Sequence, residues 1–126
     1  MKRVTGIGGI FFKAENPELL KEWYRKHLGL PVNEWGASFI WKDDDLPSGT
    51  GRTEWSIFKK DSKYLDPSVQ PFMINYRVEN LLELLKVLKE EGVTIVNEPE
   101  ISEYGKFGWI MDPEGNKIEL WEPPRN

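Results

Sequence analysis

The sequence contains no cysteine, which excludes disulfide bonds, a thiolate nucleophile and cysteine-based metal sites. It also has no long run of lysine and arginine, and its net charge is −4, so nucleic acid and anionic membranes are not expected as partners. No segment approaches the roughly 18 consecutive apolar residues that a membrane span needs. The first residues lack the apolar stretch of a signal peptide, so we expect a cytoplasmic location.

Histidine is almost absent too. The single histidine, His27, falls in the last turn of a predicted helix. An imidazole at that position interacts favourably with the negative end of the helix dipole. We therefore interpret His27 as part of the helix terminus and not as a metal ligand.

The residues that are present fit one compact domain over residues 1–126. Hydrophobic residues make up 39% of the chain and aromatic residues 13%, which is enough to build a core at this length. Charged residues of both signs make up 30% and are interspersed, as expected for a globular protein.

The order of predicted elements occurs twice, in a first module over about 1–66 and a second over about 71–124. Each module begins with a strand, continues with a helix capped by an asparagine (Asn16 or Asn80), and reaches a glycine (Gly29 or Gly92) where that helix ends. The predicted strands are Val4–Phe12, Val32–Trp35, Ser38–Lys42 and Thr53–Lys59 in the first module, and Phe72–Val78, Val93–Asn97, Tyr104–Met111 and Lys117–Trp121 in the second. The alternative is that the halves are unrelated α+β segments.

A tight turn at Asp112-Pro113-Glu114-Gly115-Asn116 predicts a hairpin near the end of the chain. Pairing outward from this turn places Trp109 opposite Glu119 and Phe107 opposite Trp121. Because side chains alternate across a sheet, these four share one face, while Ile110, Ile118 and Leu120 share the face that a helix covers.

The same alternation puts Asn75 and Arg77 on one face of the strand before the second helix. An aromatic face with a few polar groups is typical of a pocket wall. The candidate ligand-binding residues are Phe11, Phe39, Trp41, Trp55, Asn75, Phe107, Trp109 and Trp121. The alternative is that the aromatic residues are only core and that Glu119 and Arg77 form a partly buried ion pair.

Two motifs carry a family resemblance: residues Trp23 to Leu30, which end the first helix, and the turn Asp112 to Asn116 followed by Lys117-Ile118-Glu119-Leu120. With the doubled β-α-β-β-β order, the chain resembles the vicinal oxygen chelate superfamily, which includes glyoxalase I, the bleomycin resistance proteins and extradiol dioxygenases. The resemblance implies an α+β fold in which two tandem βαβββ modules form a curved, partly open, eight-stranded mixed sheet around a cavity.

The resemblance also implies where a divalent metal would be held. The final ligand position matches Glu119, the first-strand positions fall at Gly9 and Met73, and the first module's last strand offers Glu54 or Ser56. Glycine has no side chain, and methionine is a poor ligand for hard divalent ions. We therefore predict that the usual metal site is largely lost and that no cofactor is required, with Glu119 and Glu54 as the ligands if a metal is bound.

Three functions follow as hypotheses. The first is metal-free binding of a small, planar or anionic ligand. The second is a glyoxalase-like lyase, isomerase or epimerase, with Glu119 as general base and Arg77 holding a substrate anion. The third is an inactive structural member. Family members commonly pair, so we also expect a homodimer, formed through an edge strand at Ser38–Lys42 or Thr53–Lys59.

Overall fold

A computed structural model of the chain describes residues 2–46 and 48–124. These residues form two helices and seven strands, and the α+β class predicted from the sequence is confirmed. The elements in chain order are β1 Val4–Ala14, α1 Pro17–Leu28, β2 Ala37–Lys42, β3 Thr50–Lys59, β4 Phe72–Val78, α2 Leu81–Glu90, β5 Thr94–Ser102, β6 Gly105–Met111 and β7 Lys117–Glu122.

The strands form one mixed sheet in the order β2-β3-β1-β4-β7-β6-β5. The first strands of the two modules, β1 and β4, pair antiparallel at the centre of the sheet. Each of them also pairs in parallel with the last strand of its own module, β1 with β3 and β4 with β7. The two halves of the sheet therefore repeat the same arrangement about the β1–β4 pair. The sheet is not closed, so β2 and β5 are its edges.

The predicted strand Val32–Trp35 is wrong, and the first module has three strands where the resemblance implied four. Only an isolated bridge between Asn33 and Gly36 forms there. The Asn33 side chain accepts hydrogen bonds from the backbone N–H groups of Trp35 (2.8 Å) and Gly36 (3.1 Å). This local turn uses the donors that a strand would have offered to a neighbour.

The prediction that Thr53–Lys59 forms an edge strand is also wrong, because β3 lies between β2 and β1. Residues from Thr50 to Trp55 pair with β2, and residues from Glu54 to Lys59 pair with β1. The other suggested edge, Ser38–Lys42, does lie at the margin of the sheet, in β2.

Both helices begin and end where the sequence predicts. The Asn16 side chain accepts a hydrogen bond from the N–H of Leu19 (3.1 Å), and Gly29 ends α1 in the left-handed conformation with φ 66°. The Asn80 side chain caps α2 by accepting from the N–H of Glu83 (3.2 Å). Helix α2 buries three leucines against the sheet and forms a core cluster with strand residues; this cluster is Val78, Leu81, Leu84, Leu85 and Leu120.

A second core cluster involves the segment between the modules. Leu65 is fully buried and packs with Met73 and Trp109. Residues Pro67 to Pro71, which lie between the two modules, are connected to β1 by a backbone hydrogen bond from the N–H of Lys13 to the oxygen of Pro71 (2.7 Å). The connection from β3 to β4 therefore packs against the sheet, which brings its side chains close to β7.

Within the described residues, neither helix is long and apolar enough to cross a membrane. The cytoplasmic location expected from the sequence stays a prediction.

The final hairpin has the register that the turn motif predicts. Trp109 pairs with Glu119, and Phe107 pairs with Trp121. The Asp112 carboxylate accepts the N–H groups of Glu114 and Asn116, each at 2.9 Å, and Gly115 takes a left-handed conformation with φ 83°. The turn thereby fixes which side chains of β6 and β7 share a face.

Replacing Gly115 with alanine should lower the free energy of unfolding by about 1–2 kcal/mol, since a Cβ disfavours the left-handed conformation. Urea unfolding measures the change. Glu114→Ala is the matched control in the same turn and should stay within about 0.5 kcal/mol of the parent. Equal effects of the two substitutions would contradict this account of the turn.

Candidate functional site

An open cleft of about 1660 Å³ lies on one face of the sheet and is lined by residues from both modules. The central strands contribute Gly8 and Phe11 from β1 and Asn75 and Arg77 from β4. Strand β7 contributes Glu119 and Trp121, next to Phe107 of β6. The cleft therefore lies where the two halves of the sheet meet, on the face opposite the core cluster under α2.

The Glu119 carboxylate accepts three hydrogen bonds from side chains around it. It is 3% exposed, and both of its oxygens accept hydrogen bonds. Oε1 accepts from Asn75 Nδ2 at 2.7 Å. Oε2 accepts from Trp109 Nε1 at 2.9 Å and from the hydroxyl of Tyr64. Three neutral donors thus compensate the cost of burying this charge.

The sheet register brings two of these donors to Glu119. The parallel pairing of β4 with β7 places Asn75 beside Glu119, and the antiparallel pairing of β6 with β7 places Trp109 on its other side. The third donor, Tyr64, comes from the connection between β3 and β4, which the buried Leu65 anchors. Burial, together with the negative charge of Glu119, raises the pKa of the Tyr64 hydroxyl. Tyr64 therefore stays protonated and donates its proton to Glu119.

Lys117 stabilises the position of this connection. Its Nζ donates to the backbone oxygen of Tyr64 at 2.6 Å, and it lies 5.3 Å and 5.6 Å from the ring centroids of Tyr64 and Trp109. Burial lowers the pKa of Lys117, and the charge of Glu119 partly opposes this effect. The ammonium group on β7 thus helps to hold the connection at Tyr64 in place.

Arg77 does not pair with Glu119, so the prediction of a partly buried ion pair between these two residues is wrong. The guanidinium of Arg77 lies 3.3 Å from the Asp43 carboxylate and stacks over the Trp41 ring at 5.0 Å. Arg77 is 3% exposed, and its Nε is one of two buried side-chain atoms without a hydrogen-bond partner among the described residues. The other atom is Asn75 Oδ1.

The residues at the predicted ligand positions do not fit a divalent metal. In the sheet, Gly9 pairs with Glu54, and Asn75 pairs with Glu119 in the same way. The residue beside Glu119 is therefore Asn75. Met73 lies two residues away, in a core cluster. Glu54 accepts from Ser38 Oγ at 2.6 Å and pairs with Arg52 at 2.7 Å.

Both carboxylates are thus already engaged by protein donors. No group of three His, Cys, Asp or Glu residues that could hold a metal occurs in residues 2–46 and 48–124. Ser56 donates its hydroxyl to the backbone oxygen of Trp35 at 3.0 Å. His27 packs against Trp23 on α1, with 5.1 Å between the ring centroids and an angle of 44° between the rings.

The cleft brings together most but not all of the predicted site residues. Those that line it are Phe11, Glu54, Asn75, Arg77, Phe107, Glu119 and Trp121. Trp55 contacts Phe12 and Tyr24 of the α1 side, with centroid distances of 5.5 Å and 5.0 Å. Trp109 lies behind Glu119 in a core cluster, and neither Phe39 nor Trp41 is among the lining residues.

Sequence reasoning missed three aromatic residues. Trp35 and Tyr104 line the cleft from different modules and are 79% and 68% exposed. Tyr64, the third donor to Glu119, lies in a connection whose path no periodic pattern reveals. The sequence predicts that Tyr104 lies in a strand. Its backbone oxygen accepts a hydrogen bond from the Trp121 indole N–H at 2.9 Å, and this contact depends on packing across the sheet.

The family model described as "Glyoxalase/Bleomycin resistance protein/Dioxygenase superfamily" matches residues 12–120. No curated protein matches the sequence significantly. Among solved structures, methylmalonyl-CoA epimerase from Mycobacterium tuberculosis is 22% identical with a TM-score of 0.64, and the match covers 98% of this chain and 91% of that one.

Two further structures are similar. Methylmalonyl-CoA epimerase from Streptomyces coelicolor, in a complex with 2-nitronate-propionyl-CoA, is 18% identical with a TM-score of 0.69, and the match covers 95% of both chains. The Mn(II)-bound glyoxalase from Novosphingobium aromaticivorans is 17% identical with a TM-score of 0.63, covering 97% of this chain and 40% of that one. At these identities the likeness establishes the fold.

Tyr64→Phe should lower the free energy of unfolding by about 1–2 kcal/mol at neutral pH, because Glu119 loses one of its three donors. It should also reduce the loss of folding stability that the protein shows at alkaline pH. The pKa of Tyr64 is raised above its ordinary value of 10.0, so its contribution is complete below that pH and is lost as the pH rises further. Urea unfolding at pH 7 and pH 11 measures both effects.

The matched control is Tyr104→Phe, since Tyr104 is 68% exposed. The parent and Tyr104→Phe should lose stability between pH 7 and pH 11 by similar amounts, and Tyr64→Phe should lose less. Parallel pH profiles for all three proteins would refute the role of Tyr64 as a buried donor.

Proposed function

The chain belongs to the Glyoxalase/Bleomycin resistance protein/Dioxygenase superfamily, and from this premise we propose that its cleft binds a small planar ligand without a divalent metal. One observation carries the proposal. Phe107 and Trp121 lie stacked in the lining, with centroids 6.1 Å apart and an angle of 10° between the rings. Flat aromatic surfaces of this kind suit a planar ligand.

The charges around the cleft favour a cationic ligand over an anionic one. The acidic lining residues outnumber the basic ones; they are Asp43, Asp45, Glu54, Glu79, Glu103, Glu119 and Glu122, against Lys2, Arg3, Arg52 and Arg77. Each of these four basic residues is ion-paired, with Asp45, Glu91, Glu54 and Asp43 respectively. The remaining field is negative, and aromatic faces add attraction for a cation.

The hydrogen bonds at Glu119 support binding over general-base catalysis. A general base must reach the proton that it removes, with a free lone pair aimed at the substrate. Glu119 directs both oxygens at protein donors, and Arg77, the residue assigned to hold a substrate anion, is neutralised by Asp43. The lyase, isomerase or epimerase alternative therefore has less support than binding.

An edge of the sheet offers a surface for the expected homodimer. Strand β2 is an edge strand, and it exposes Phe39 (43%) and Ile40 (69%). Unpaired edge strands with exposed apolar side chains are commonly covered by another chain. We therefore propose that a homodimer forms through β2.

Light scattering should give a mass of about twice 14.7 kDa. Ile40→Lys should shift the protein toward the monomer, because a lysine at an edge opposes strand pairing. The matched control is Ile101→Lys on the opposite edge strand β5, where Ile101 is 66% exposed. A parent protein that is monomeric throughout, or a control that dissociates equally, would exclude a β2 dimer.

Calorimetric titration with two three-ring probes tests the proposed ligand class. The cation 9-aminoacridine should bind, and the anion 9-anthracenecarboxylate should bind at least about tenfold more weakly, because the lining is acidic. Phe107→Leu should weaken binding of the cation about tenfold, which corresponds to the loss of about 1–2 kcal/mol of aromatic contact.

Trp23→Leu is the matched control, since Trp23 lies on α1 outside the lining and is 50% exposed. It should leave the affinity for 9-aminoacridine unchanged. If neither probe binds, the result would count against a planar-ligand site. Tighter binding of the anion than of the cation would reverse the assigned charge preference.

A further inference from the structure

Two buried polar atoms at the cleft have no partner among the described residues, and they are chemically complementary. Asn75 Oδ1 is an acceptor and Arg77 Nε–H is a donor, and the two residues are 2% and 3% exposed. Both residues line the cleft. A buried polar atom without a partner costs free energy, so such atoms are ordinarily satisfied by a bound group or an ordered water.

The side chains of Asn75 and Arg77 both lie close to Gly8, Asn75 with its Oδ1 and Arg77 with its Cγ. The β1–β4 pairing shifts register between Ile7 and Gly9, which leaves Gly8 at the irregularity. A Cβ built on Gly8 would lie 2.2 Å from Asn75 Oδ1 and 3.0 Å from Arg77 Cγ. It would also lie 2.9 Å from an edge atom of the Trp121 ring. Only glycine at this position lets the three side chains come so close to the strand.

The orientations of both side chains are fixed by their other contacts. The Glu119 carboxylate accepts hydrogen bonds only, so the amide of Asn75 must direct Nδ2 toward it and Oδ1 away from it. Arg77 is held by Asp43 and by the Trp41 ring. The free acceptor and the free donor are therefore both preorganised before any ligand arrives.

We propose that this point, defined by Gly8, Asn75 and Arg77 and named here the amide subsite, binds the carboxamide or lactam edge of a planar ligand. The ligand N–H donates to Asn75 Oδ1, and the ligand carbonyl accepts from Arg77 Nε. The ring that carries the amide lies toward Trp121 and Phe107, which line the same cleft. This inference rests on the proposed function and names the chemical group that the site selects.

Charged groups satisfy only half of the subsite. A carboxylate accepts from Arg77 but is repelled by Asn75 Oδ1 because it has no proton to donate. An ammonium group donates to Asn75 but offers nothing to Arg77. An amide edge supplies one donor and one acceptor on a flat frame, so its chemistry suits both the unpartnered pair and the aromatic lining.

The test compares two planar cations that differ only in the amide, 1-methylnicotinamide and 1-methylpyridinium, by calorimetric titration. The wild-type protein should bind 1-methylnicotinamide about tenfold more tightly, since its amide adds two hydrogen bonds. Arg77→Lys keeps the positive charge but removes the Nε–H group. It should reduce this preference to about twofold or less.

Gly8→Ala is a second, independent variant, because its methyl group would lie 2.2 Å from Asn75 Oδ1 and displace the Asn75 side chain. It should also abolish the preference for the amide. Arg25→Lys is the matched control, since Arg25 lies on α1, pairs with Glu22 and does not line the cleft. This control should retain the tenfold preference.

Equal affinity of the two cations for the wild-type protein, whether both bind or neither does, would overturn the amide subsite. A preference that persists in both Arg77→Lys and Gly8→Ala would also overturn it. Failure of 9-aminoacridine to bind would instead overturn the proposed function, so the two outcomes are distinguishable.

Discussion

The burial of the Glu119 carboxylate is the constraint on which the rest of the site depends. An ionised group that is 3% exposed must be compensated, and here the compensation comes from three neutral donors on three parts of the chain. Asn75 requires the β4–β7 register, Trp109 requires the β6–β7 register, and Tyr64 requires the β3–β4 connection to pack over β7. The sheet and its connection are therefore coupled through one side chain.

This arrangement changes the chemistry that the fold offers. Glu119 already accepts three hydrogen bonds, which leaves about one of the roughly four acceptor sites of a carboxylate for a metal or a substrate proton. The same bonds orient Asn75 so that its oxygen faces the cleft, beside the unpartnered Nε of Arg77. The polar interaction that immobilises Glu119 thereby presents a binding edge to a ligand.

Local signals predicted the parts of the fold that short-range chemistry controls. The turn at Asp112–Asn116 fixed the Trp109–Glu119 pairing, and the asparagine caps located both helices. The strand at Val32–Trp35 was mispredicted because the Asn33 side chain competes for its backbone donors. The Tyr64–Glu119 and Arg77–Asp43 contacts join residues far apart in sequence through irregular connections, where no periodic pattern exists to reveal them.

The most direct test of the central claim is native mass spectrometry of protein purified without chelator and then exposed to one equivalent of Zn²⁺ or Mn²⁺. Because protein donors occupy Glu119, the account predicts no stoichiometric metal on the parent protein and no difference between the parent and Glu119→Gln. One metal ion per chain that is lost in Glu119→Gln would contradict it, since Glu119 would then act as a ligand.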